Sequence, residues 1–244
     1  MKQRLAHLFM HWPAFYYFIA RVYSFAGSLI GMRVAEKWWA ARSSFAKSYW
    51  GSRSLSSRGF LVERIAAFSP IDSILEVGCA SGPNLYVLAK KFPKAQIVGI
   101  DINREAIEYG KAQFAQEGIA NVRLFVSKAD ELGKFQDKAF DVVFTDAVLT
   151  HISPNKIKKV ISEMLRITRR ALILMEPHSF ELNEKDLLKL GILTYYGGQW
   201  IRSYTALLKQ FVPEEQIRVT RIPEDVWPEK PWKELGAVIE VVVS

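Results

Sequence analysis

Cysteine is the scarcest chemistry in this chain. One residue, Cys79, occurs among 244, which excludes an internal disulfide and fits a reducing compartment. With no second cysteine and no histidine close by, neither a thiol nucleophile nor a zinc site has the groups it needs, and no metal is expected. Acidic residues are nearly missing from the first quarter. Residues 1–62 hold Glu36 as their one carboxylate against nine basic side chains: Lys2, Arg4, Arg21, Arg33, Lys37, Arg42, Lys47, Arg53 and Arg58. The rest of the chain carries 24 basic and 24 acidic residues, so all of the formal charge of +8 lies in this N-terminal arm. Internal repeats and low-complexity tracts are absent. So is an uncharged run of membrane-spanning length. Trp12 to Gly31 is about long enough, but Arg21 near its middle costs roughly 2.5–3.5 kcal/mol. The same arginine and the neighbouring tyrosines break the apolar core that a cleaved signal peptide requires.

What is present is an ordinary globular balance, half apolar and about a quarter charged, in a chain long enough for one α/β domain with additions. The basic arm, residues 1–58, is crowded with aromatics, and basic plus aromatic on one segment means an interface. Phe15, Phe18, Ile19, Val22, Phe25, Ala26 and Leu29 recur at helical spacing and predict a helix over Trp12–Ile30, with a narrow polar stripe at Tyr17, Arg21, Ser24 and Ser28. A second helix is expected over Val34–Lys47, then a serine-rich joint at Ser52–Ser57 and a short amphipathic helix over Phe60–Phe68. Two roles suit the arm. It closes as a lid over a ligand cleft, or residues 12–31 lie in a membrane interface, where each Lys or Arg near an anionic surface adds about 1 kcal/mol. Spanning the bilayer ranks last.

From residue 59 to 244 the pattern is regular. Apolar runs at Ser73–Gly78, Gln96–Asp101, Val122–Val126, Asp141–Thr145 and Ala171–Met175 alternate with helical patterns at Asn84–Lys91, Arg104–Glu117 and Lys156–Ile167. Near-continuous apolar strands separated by helices predict a parallel sheet covered on both faces. A helix through Tyr204–Phe211, a strand near Gln216–Thr220, a proline-broken loop and a last strand at Ala237–Val243 complete the chain.

The run Ser73-Ile74-Leu75-Glu76-Val77-Gly78-Cys79-Ala80-Ser81-Gly82-Pro83-Asn84-Leu85 is a strand, a tight small-residue turn and a helix start. Glycine lets a ligand approach the backbone, and the helix start presents free N–H groups. The second strand ends in Asp101, where a nucleotide fold places an acid on ribose hydroxyls. A later block, Ala139 to Ile152, contains Asp141, Asp146, Thr150 and His151. Together these resemble the class I S-adenosylmethionine-dependent methyltransferases, with one departure: Ala80 replaces the middle glycine of the usual Gly-x-Gly-x-Gly. The resemblance implies a Rossmann-like, doubly wound α/β fold with a seven-stranded, mostly parallel sheet whose seventh strand is antiparallel and inserted beside the fifth. It implies S-adenosyl-L-methionine as cofactor, with Gly78, Cys79, Ala80, Ser81 and Gly82 under its methionine part and Glu76 facing the ammonium. Asp101 would hold the ribose, Ile102 the adenine face and Asp130, or Lys128 or Ala129 at the matching position, the adenine edge, with Asp146 at the end of the fourth strand.

Methyl transfer to a hydroxyl needs in-line alignment and removal of a proton. His151 and His178 are the candidate bases, since an imidazole titrates near neutrality. Trp200, Arg202 and Tyr204 lie where such enzymes build an acceptor pocket. The expected activity is methylation, at oxygen, of a small-molecule or lipid- or glycan-linked acceptor by an enzyme in the cytoplasm or peripheral on the inner membrane face. Nucleic acid is the weaker alternative, because the turn after the fourth strand lacks an Asn/Asp-Pro-Pro-aromatic signature and the arm's charges are interleaved with aliphatics. A cofactor-binding partner protein without turnover is a third reading, since fold alone does not assign activity.

Overall fold

The computed structural model describes residues 34–42, 45–180, 195–196, 199–227 and 232–243. The expected helix over Trp12–Ile30 lies outside them, as does the stretch proposed to touch a membrane. Among the described residues no helix is long and apolar enough to cross a bilayer.

The strands are β1 (Ser73–Val77), β2 (Gln96–Asp101), β3 (Val122–Val126), β4 (Phe140–Asp146) and β5 (Thr168–Pro177), with β6 (Tyr195–Tyr196), β7 (Gln199–Trp200), β8 (Ile217–Arg221) and β9 (Gly236–Val242) following. Seven of them form one sheet in the order β3-β2-β1-β4-β5-β9-β8. β1 to β5 pair in parallel, whereas β9 runs antiparallel between β5 and β8. This is the expected Rossmann-like sheet with its inserted last strand. The pair β6–β7 is separate and was not anticipated from the sequence.

Alternation along the strands divides the core in two. Ile74, Val142 and Phe144 pack on one face with Leu61, Ile65, Leu85 and Phe114. Leu75, Val77, Val143 and Leu172 pack on the other with Ile161, Met164 and Tyr204. The helices that cover these faces are α1 (34–41), α2 (Phe45–Gly51), α3 (Ser56–Ala66), α4 (Pro83–Lys91), α5 (Arg104–Gln116), α6 (Ile157–Ile167), α7 (Tyr204–Leu208) and α8 (Trp232–Leu235).

Several predicted boundaries move. The serine-rich joint is a 3-10 turn at Ser52–Ser54 running into α3, which begins at Ser56 instead of Phe60. The reason is local: Arg58 donates to the Ser52 carbonyl at 2.8 Å and to its hydroxyl at 2.6 Å, which folds the serines back onto the helix. The single helix expected over Val34–Lys47 is replaced by α1 and α2, with 43–44 outside the described residues. Residues 45–58, read as arm, pack into the molecule: Trp50 is buried in the core beside Phe114. β5 is longer than predicted and α7 shorter, ending at Leu208 ahead of the exposed Phe211.

Candidate active site

The site begins with strand alternation. Glu76 on β1 lies beside Phe144 on β4, so Glu76 and Asp146 share the face that carries Ile74, Val142 and Phe144, at the carboxyl ends of adjacent central strands. That face lies under the first turn of α4, and there Asn84 joins them. Its Nδ2 donates to Glu76 Oε1 at 2.7 Å and to Asp146 Oδ2 at 3.0 Å, while its Oδ1 accepts from Arg58 Nη1 at 2.7 Å. Arg58 also reaches Asp146 Oδ2 at 3.4 Å and lies over the Tyr49 ring. Glu76, Asn84, Asp146 and Arg58 are each less than 5% exposed. The guanidinium thus touches Asp146 and reaches Glu76 only through Asn84, and Glu76 Oε2 and Asp146 Oδ1 are buried with no hydrogen-bond partner. Burial pushes the Glu76 carboxyl up to about 8, Asp146 adding to the rise, and raises Asp146 as well. A buried acid of this kind requires a cation or a donor.

The turn after β1 bends over this pair. Gly78 has φ +81°, and a side chain there would meet Val148 at 2.3 Å. Its N–H and that of Cys79 donate to the Ile100 carbonyl at 2.7 and 3.0 Å, which ties the turn to the end of β2. Asp101 therefore comes directly against it: Oδ2 accepts from Ala80 N at 2.8 Å and Oδ1 from Asn103 N at 2.8 Å. Burial raises the Asp101 carboxyl, and these backbone donors oppose the rise. Ala80 replaces the usual glycine yet keeps a left-handed φ of +49°.

A cavity of about 870 Å³, counted with its open mouth, runs from this turn across the sheet edge. Gly78, Ala80, Asp101, Ile102, Ala129, Asp130, Asp146 and His151 all line it. All the adenine-edge candidates, Lys128 included, sit in its wall, though Asp130 is engaged by Lys156 at 3.1 Å. Glu76, Cys79, Ser81 and Gly82 are not in the cavity wall. Cys79 is buried, with its thiol pushed well up by burial. Ser81 donates to the Ala46 carbonyl at 2.9 Å, and Gly82 caps α4.

His178, Trp200, Arg202 and Tyr204 are not in the cavity wall. His178 is 3% exposed and its Nδ1 accepts from Tyr204 N at 3.1 Å. Burial, helped by Arg221, lowers it to about 4, so it stays neutral and is occupied. Trp200 and Tyr204 are fully buried, and Arg202 donates to the Leu149 and Ile152 carbonyls. His178, just past β5, bridges to Arg202 and accepts from Tyr204 N, so a candidate base and three candidate acceptor contacts instead form a packed support.

The far wall comes from the arm. Ala35, Glu36 and Trp39 of α1 and Phe45 and Tyr49 of α2 line the cavity. Asn103 Nδ2 donates to the Trp39 and Arg42 carbonyls, each at 2.9 Å. Glu36 pairs with Lys128 at 3.3 Å and with Lys156, and these lysines, Lys156 first, hold its carboxyl below the usual range. The Trp39 ring lies 4.6 Å from that of His151. Arg58, Tyr49, Asn84 and Trp39 were not singled out by sequence reasoning. Arg58 had a signal, since it falls on the apolar face of its helix with Leu61, Val62 and Ile65. Tyr49 and Trp39 had none beyond their aromatic character.

A parallel sheet with an inserted antiparallel strand, a left-handed small-residue turn and a strand-end acid beside it define the class I S-adenosylmethionine-dependent methyltransferases. Residues 74–171 match the family described as "Methyltransferase domain". It is 31% identical over 161 residues to an uncharacterized protein of Haemophilus influenzae (strain ATCC 51907 / DSM 11121 / KW20 / Rd), covering 66% of this chain and 56% of that protein. It is 26% identical over 163 residues to one of Rickettsia prowazekii (strain Madrid E), covering 58% of this chain and 65% of the relative. The chain thus spans less than two thirds of either relative's length. Among solved structures, the plantazolicin methyltransferase BamL, in complex with a triazolic desmethylPZN analog and SAH, shares the fold. Its TM-score is 0.63 at 14% identity, over 93% of this chain and 98% of that one.

The residues present fit the cofactor. The orphaned oxygens of Glu76 and Asp146 suit an ammonium group, the turn leaves backbone exposed beside them, and Asp101 stands one turn away with a carboxylate for vicinal hydroxyls.

Proposed function

We propose that this protein is an enzyme that transfers the methyl group of S-adenosylmethionine to the hydroxyl of a small-molecule acceptor. The observation that carries the reading is one cleft that joins Asp146, with its unpartnered oxygen, to Asp101 and His151 beneath aromatic walls. When bound, the cofactor supplies an electrophilic methyl group on a sulfonium. Glu76 and Asp146 bind the ammonium of its amino-acid part, Asp101 the ribose hydroxyls, and Ile102, Ala129 and Asp130 the adenine. Trp39, Phe45 and Tyr49 exclude water and orient the acceptor, and His151 takes the hydroxyl proton. The similarity to a methyltransferase solved with a small-molecule analog supports an acceptor of that size. A cleft roofed by α1 and α2 suits such an acceptor better than a nucleic-acid strand. Peripheral membrane contact through residues 12–31, with a lipid-linked acceptor, belongs to the same proposal and is tested by vesicle co-sedimentation of the full chain.

The experiment is release of S-adenosylhomocysteine across pools of small hydroxylated acceptors, beside calorimetric binding of the same product. Asp101→Ala removes the charged acceptor for two hydrogen bonds worth about 1.5–3 kcal/mol each, so binding should fall at least about a hundredfold. Wild-type affinity in that variant would overturn the ribose assignment. Turnover only on RNA would overturn the acceptor class.

A further inference from the structure

Behind the cleft, two buried charged side chains end on one short turn. Glu176, at the end of β5, is fully buried. Its Oε1 accepts from the Thr145 hydroxyl, Val148 N and Leu149 N, each at 2.9 Å, and its Oε2 from Thr150 N at 3.3 Å. Arg202, 2% exposed, donates from Nη1 to the Leu149 carbonyl at 2.7 Å and from Nη2 to the Ile152 carbonyl. The segment between, Ala147 to Ile152, is the wall of the cleft that bears His151. Its entry is strained: Ala147 has φ +58°, a conformation that persists in a non-glycine residue only when the surroundings impose it.

The two ends of the turn are therefore held by opposite charges. The carboxylate collects the N–H groups that a short 3-10 turn leaves without partners at its start. The guanidinium spans the turn, adding a second donor to the Leu149 carbonyl, which already accepts from Ile152 N, and one to the Ile152 carbonyl beyond its end. Both holders are referred to one element. Glu176 belongs to β5, and Arg202 is carried alongside it, since Ser179 N donates to the Arg202 carbonyl at 2.9 Å and His178 forms a bridge with Arg202. β5 is an interior strand, paired along its length with β4 and β9, so the turn is fixed to a strand held on both sides. Burying a carboxylate and a guanidinium costs several kcal/mol each, and a neutral amide at 176 would turn an NH2 toward the Thr150 N–H where the carboxylate accepts. What the charged pair adds is one orientation of the turn.

We propose that Glu176 and Arg202 are positioning residues that clamp the His151 turn from behind and so fix the imidazole relative to the acceptor. The proposal rests on the reading of His151 as the group facing the acceptor.

The test follows the His151 ring directly, in full-length protein saturated with S-adenosylhomocysteine, by carbon-resolved NMR of the imidazole. In Glu176→Gln and in Arg202→Lys the His151 signal should move and broaden about twofold or split, as expected of microsecond-to-millisecond exchange. Product affinity should stay within about twofold of wild type, the cofactor groups being untouched. Should Glu176→Gln not fold, Arg202→Lys gives the same readout. An unmoved His151 signal in the folded variants overturns the clamp. So does a loss of product affinity in step with the signal, which would mean general loosening. With an acceptor in hand, Glu176→Gln should lower turnover in wild type and add nothing in a His151→Gln background. Full turnover in His151→Gln with the NMR effect intact would remove the base assignment and leave the clamp standing.

Discussion

Glu76 and Asp146 are joined through Asn84, Arg58 touches Asp146 alone of the two, and two carboxylate oxygens are unpartnered, while burial moves the Glu76 carboxyl from 4.5 to about 8. A raised acid ionises first in the unfolded chain, so the folded state holds the extra proton as pH climbs between those values. The sign is therefore a loss of stability through that window, complete once pH exceeds about 8. Glu176, pushed by burial to about 7, acts in the same direction. Thermal unfolding of the ligand-free protein should show Tm falling as pH rises through this range, and Glu76→Gln should flatten the fall. Binding an ammonium there draws the proton off. Calorimetry at neutral pH in buffers of different ionisation enthalpy should detect proton release on product binding, lost in Glu76→Gln. Ala80 makes a separate point. A left-handed alanine costs roughly 1 kcal/mol against glycine, so Ala80→Gly should preserve cofactor affinity and raise stability by about that amount in urea titration.

Among the elements, the arm helices and the ligand turns are coupled by individual side chains. Asn103 both caps α5, accepting from Ala106 N at 2.9 Å, and donates to the Trp39 and Arg42 carbonyls. Asn103→Ser keeps the cap, which Ser serves as well as Asn, and removes the two donations to the roof without placing a charge against its carbonyls. We expect near-native stability, faster proteolysis between residues 39 and 45, and faster product dissociation by stopped flow. Asn103→Ala should cost a further ~1 kcal/mol for the lost cap. The roof role is not visible in the sequence around Asn103, which shows only a helix start. The strands and α4 to α6 were legible because their apolar periodicity is long and uninterrupted. The serine-rich segment misled, because serine favours turns locally while Arg58, six residues on from Ser52, decided its conformation.

For the whole molecule, the proposed cofactor site draws on four strand ends and two arm helices, so a ligand bound there should hold these elements together. A ligand at a hundredfold excess over Kd stabilises by about 2.7 kcal/mol. At this chain length, where each kcal/mol moves Tm by about 2–4 °C, S-adenosylhomocysteine should raise Tm by roughly 5–11 °C, and Asp101→Ala should abolish the rise. The sheet order follows from right-handed crossovers between parallel strands, and it brings Gly78 and Asp101 to one edge as the motif spacing requires.

The sequence by itself determined the alternation of strands and helices, the small-residue turn, Asp101 at the end of its strand, and the methyltransferase domain these define, because each depends on residues close together in the chain. Only the tertiary structure decided that Arg58 and Asn84 neutralise part of a buried acid pair, and that Trp39 and Tyr49 wall the cleft. It alone set His178, Arg202 and Tyr204 behind the cleft instead of in it. Those outcomes depend on which segments meet across long loops and on which side of a strand end a chain turns, and contacts of that kind leave no periodicity in the order of amino acids.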